Sequence, residues 1–87
     1  STDELLEIFD SMCKKASYSL APPARDAARV YLESLPRDKG FGNGRVVRNL
    51  FEEAMGRQAT RLVALGVPSN EQLMELRPED IVAPAGM

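Results

Sequence analysis

Apolar residues return every three or four positions along most of the chain, in stretches separated by proline, glycine and short polar runs. That period marks α-helices with one buried stripe each. In the first stretch, about Thr2 to Ser17, the stripe is Leu5, Ile8, Phe9, Met12, Cys13 and Ala16, and Leu6 broadens it. Ser1 and Glu4 are spaced as a capping box, and Lys14 and Lys15 suit the negative end of the helix dipole. The second stretch opens at Pro22-Pro23, where a missing N–H costs nothing. Ala24, Ala27, Ala28, Tyr31, Leu32 and Leu35 repeat there until Pro36, and the small alanines predict close approach of a neighbouring helix.

The third stretch is the longest, about Gly44 to Leu65, with Val46, Val47, Leu50, Phe51, Ala54, Met55, Leu62 and Leu65 on its apolar face. Glu53 and Arg57 are an i,i+4 pair in the favourable order. Gly66 is placed for a left-handed cap, with Pro68 just beyond. Ser69 and Gln72 form the capping box of a short fourth helix reaching about Leu76, whose buried side is Leu73, Met74 and Leu76. Pro78 stops it, and Ile81 and Val82 are expected to tuck a last turn against the core. No stretch alternates with period two between hairpin turns. The expected fold is all-α, a small four-helix bundle over residues 1–82 with a flexible C-terminal tail over residues 83–87.

Composition narrows the function classes. The 87 residues suffice for one domain with a modest core, and a hydrophobic content of 44% argues against disorder. A net charge of −2 disfavours broad binding to nucleic acid or acidic membranes. Cys13 is the single cysteine and histidine is absent. An internal disulfide and a histidine-based metal site or base are therefore excluded, and a reducing cytoplasm fits best. No apolar run is long enough to span a bilayer. The chain starts without Met at Ser1-Thr2, as a fragment of a longer protein would.

The segment that draws attention is Phe41-Gly42-Asn43-Gly44-Arg45-Val46-Val47-Arg48. A glycine-rich loop opens the longest helix, Asn43 is an N-cap candidate, and two arginines occupy the first turns. Cations there oppose the helix dipole, so Arg45 and Arg48 break a local rule without visible compensation. Open backbone donors and a guanidinium fork suit a phosphate. The same residues also read as solvated turn positions, with Arg48 paired to Glu52 one turn later. A basic stripe of Arg45, Arg48, Arg57 and Arg61 is interrupted by Glu52 and Glu53. Those two glutamates point in different directions and make no acid–base pair. Cys13 lies on an apolar stripe and reads as a buried structural thiol. Met12, Met55 and Met74 read as core filler, and Tyr18 and Tyr31 as buried rings with exposed hydroxyls. No catalytic group and no metal ligand set is assigned.

The run from Phe41 through Asn43-Gly44-Arg45, Arg48-Asn49-Leu50 and Arg57-Gln58 to Arg61-Leu62 resembles the C-terminal lid of the CbxX/CfqX family of AAA+ ATPases. That family includes red-type Rubisco activases and cytosolic ATPases of type VII secretion. Asp3 to Phe9 is similar to the lid's first helix, and Leu73 to Ile81 to its closing Leu…Arg-Pro-Glu-Asp-Ile segment. The resemblance implies a lid that packs over ATP held by a larger core domain of the same polypeptide. It implies neighbouring subunits in a homo-hexamer and Mg²⁺ bound by the core. Arg45 matches the sensor-2 arginine that reads the γ-phosphate, Asn43 and Gly44 lie in the same turn, and Arg48 is a second contact to nucleotide or to the neighbouring subunit. Walker A and Walker B motifs are missing from the sequence, so the chain alone is not expected to hydrolyse ATP. The competing expectation is a free-standing helical adaptor for protein interaction, with no nucleotide role.

Overall fold

The computed structural model describes residues 2–35 and 43–81. Ser1 of the first capping box, the loop at 36–42, Val82 and the tail at 83–87 lie outside them.

The first helix, α1, spans Thr2–Lys15 and buries Leu5, Leu6, Phe9 and Cys13. It ends in a turn where Tyr18 N–H donates to the Cys13 carbonyl at 2.8 Å and Ser17 takes a positive φ of 64°. The second helix, α2, spans Pro22–Ser34, with its prolines in the first turn as expected. Ala24 and Ala28 are fully buried, so the backbones of α1 and α2 come close. Two ion pairs staple their outer edges, Arg25 to Asp10 at 3.0 Å and Arg29 to Asp3 at 2.8 Å. The third helix, α3, is continuous over Asn43–Leu65 and sends Val47, Leu50 and Ala54 into the same core. Phe51 meets Phe9 and Tyr18 edge-on, at ring centroid distances of 6.3 and 5.9 Å.

The C-terminal segment differs from the expected single helix. Gly66 has φ of 82° and ends α3 as the sequence implies. Ser69 and Gln72 make both bonds of the capping box, at 3.1 and 2.8 Å. The fourth helix, α4, then covers only Asn70–Leu73. From there the chain extends. Strand β1 (Ser19–Leu20) pairs in parallel with β2 (Glu75–Leu76), Ser19 facing Glu75 and Leu20 facing Leu76. A 3₁₀ turn at Pro78–Asp80 follows, and Leu76 and Ile81 close the bottom of the core.

Four stripe assignments change. Ile8, Ala16, Leu65 and Leu73 are exposed. Leu62 is the last buried residue of α3, so the final turn and Leu65 run past the neighbouring elements. Leu73 is exposed, while its carbonyl accepts from the Gln58 amide. Met55 and Met74, read as core filler, are half-buried outside the core cluster, Val82 lies outside the described residues, and the other expected core residues are buried or, like Met12, Ala27, Leu35, Val46 and Phe51, pack half-buried against the core.

Candidate functional site

The buried stripe of α3 fixes what its other faces do. Val47, Leu50 and Ala54 point inward, which turns Arg45, Arg48 and Glu52 outward along one stripe. Arg45 and Arg48 are exposed, and neither pairs with a described carboxylate. The alternative pairing of Arg48 with Glu52 is thus not made. No acidic residue stands in the first turn of α3 to answer the helix dipole. The first N–H groups of a helix have no partner within it, so this end combines open donors with two uncommitted guanidinium groups.

Gly44 is exposed, and no atom lies within 4 Å of where its Cβ would stand. Its lack of a side chain leaves the backbone approachable from outside. Asn43 was expected as the cap but is the first residue of α3 itself; helix boundaries shift by a residue in this way. The structure therefore brings Asn43, Gly44, Arg45 and Arg48 together on the opening turns of one helix.

Further along α3 the arginines behave differently. Arg57 lies 3.6 Å from Glu53, as the spacing predicts. Arg61 is engaged by Asp80 through both carboxylate oxygens, Nε to Oδ1 at 2.9 Å and Nη2 to Oδ2 at 2.8 Å. That carboxylate is 1% exposed and also accepts the Arg77 N–H at 2.9 Å. The hydrogen bonds to Asp80 raise the Arg61 pKa above its usual value, against the opposing effect of burial. A basic stripe running from Arg45 to Arg61 consequently does not form.

Sequence reasoning missed a second polar residue of the same helix. Gln58 is 3% exposed, and its amide donates to the carbonyls of Leu73 at 2.9 Å and Glu75 at 3.0 Å. Its position one turn after Ala54 and one turn before Leu62 was the available signal: a polar residue on the core stripe needs partners. Together Gln58, Arg61 and Asp80 fasten residues 73–80 to α3.

Other candidates are inert. Burial, followed by the charge of Asp10, pushes the Cys13 thiol up to about 12, so it stays protonated near neutral pH. The Tyr31 hydroxyl donates to Glu53 at 3.2 Å instead of facing solvent alone. Among the described residues no cluster of three or more His, Cys, Asp or Glu could hold a metal, and no helix is long and apolar enough to cross a membrane.

Comparison with known proteins gives one family, the AAA lid domain, whose model matches residues 1–87. A chloroplastic ribulose bisphosphate carboxylase/oxygenase activase of Cyanidioschyzon merolae is 35% identical over 85 residues, covering 90% of this chain. Protein CbbX of Cereibacter sphaeroides is 34% identical over 85 residues, covering 95%. A CfxQ homolog of Pyropia yezoensis is 32% identical over 84 residues, covering 94%. The chain spans 28% of the length of each of these three relatives.

Proposed function

We propose a role for this chain from one premise: it belongs to the AAA lid domain family and is the lid of a CbxX/CfqX-type AAA+ protein. The proposed role is that of a phosphate reader. Arg45 contacts the terminal phosphate of ATP held by the core domain of the same polypeptide, and that contact couples hydrolysis to movement of the lid. Arg48 supplies a second contact, to nucleotide or to the neighbouring subunit, and Asn43 and Gly44 form the adjoining turn.

The observation that carries this reading is the uncommitted state of Arg45. A guanidinium at the positive end of a helix, exposed and with no described carboxylate beside it, is unfavourable in isolation and favourable once an anion arrives. The residues present therefore fit a polyphosphate. ATP would supply the scissile phosphoryl group, and its Mg²⁺ would be held by the core domain. Arg45 itself would do two things, orient the terminal phosphate and offset its negative charge.

The parent activity we propose is ATP-driven remodelling of a protein client by a cytoplasmic homo-hexamer, with residues 1–82 as the lid and 83–87 as a tail. Support comes from the relatives, one of which is named as an activase of ribulose bisphosphate carboxylase/oxygenase.

The test is Arg45→Ala in the full-length parent, with steady-state ATPase measured beside a thermal melt. Turnover should fall at least about tenfold, equivalent to about 1.4 kcal/mol of transition-state stabilisation, with the melting temperature unchanged. Wild-type turnover in the folded variant would reject the assignment of Arg45.

A further inference from the structure

We draw no further inference here: the strongest candidate, the exposed outer face of α3 formed by the uncharged residues Gly56, Ala59, Thr60 and Val63, is an unpartnered stripe of small and apolar side chains, and nothing in the structure shows what covers it.

Discussion

The two ends of α3 carry the same side chain in opposite circumstances. At its C-terminal end Arg61 is spent on folding, its guanidinium forked onto a carboxylate that is 1% exposed. At its N-terminal end Arg45 and Arg48 are exposed and answer no described carboxylate. Burial decides the difference. Asp80 sits in the strap of residues 73–80 that closes the core, so its charge must be matched from within the chain. Among the described residues no such strap lies over the outer face of the opening turns of α3, and none demands their charge. Substitutions at one end should therefore register as lost stability, and at the other as lost function with stability retained.

The largest effect that would sharpen this contrast is expected from Asp80→Ala. It strands the Arg61 guanidinium and the Arg77 N–H together. Breaking a buried pair from one side costs about 3–5 kcal/mol, and the Arg61 side chain, 21% exposed, places this case at the lower end. The melting temperature should fall by at least about 12 °C for a domain of this size. A loss below about 1 kcal/mol in urea unfolding would show that the C-terminal end is no more committed than the N-terminal one. Gln58→Leu comes next, at about 2 kcal/mol, because the carbonyls of Leu73 and Glu75 lose their donor inside the core. Its signature is local. The Ser19 amide, which donates to the Met74 carbonyl at 2.6 Å, should lose hydrogen-exchange protection before the α1 amides do. Glu53→Ala stands between the ends in position and in effect. It frees the half-exposed Arg57 and the hydroxyl of the buried Tyr31, and should cost about 1 kcal/mol.

Legibility in the sequence divides along the same helix. Period and punctuation located α1, α2 and α3 to within a residue or two, and the Ser69–Gln72 box and Gly66 marked the next boundary correctly. Local chemistry determines such features, so local reading finds them. Glu75 and Leu76 belong to a strand because Ser19 and Leu20, more than fifty positions away, present a free edge. Two residues are too few to show alternation, and their pairing is set by tertiary contact. Gln58 and Asp80 were likewise invisible as a pair of fasteners until the strap was seen folded over α3. The candidate site was legible for the opposite reason. Arg45 and Arg48 offend the dipole rule within one turn, and an offence against a local rule is visible locally.

The smallest stability effect makes the sharpest test of the contrast. If Arg45 serves only a ligand from outside, removing it should leave the isolated chain within about 0.5 kcal/mol of wild type. The physics permits a stronger statement. A cation at a helix N-terminus is disfavoured and an anion favoured, each by about 0.3–1 kcal/mol at an exposed site and low salt. Arg45→Glu should therefore leave the lone chain as stable as before or raise its melting temperature by a few degrees, the gain shrinking as salt is added. In the parent the same change should abolish ATP turnover, because a carboxylate repels the phosphate that the guanidinium would receive. Stability and activity would then move in opposite directions on one substitution, as expected where a strained position is kept for function. A melting temperature that instead falls by several degrees in the lone chain would mean that Arg45 already has work to do inside the fold. The two ends of α3 would then be alike.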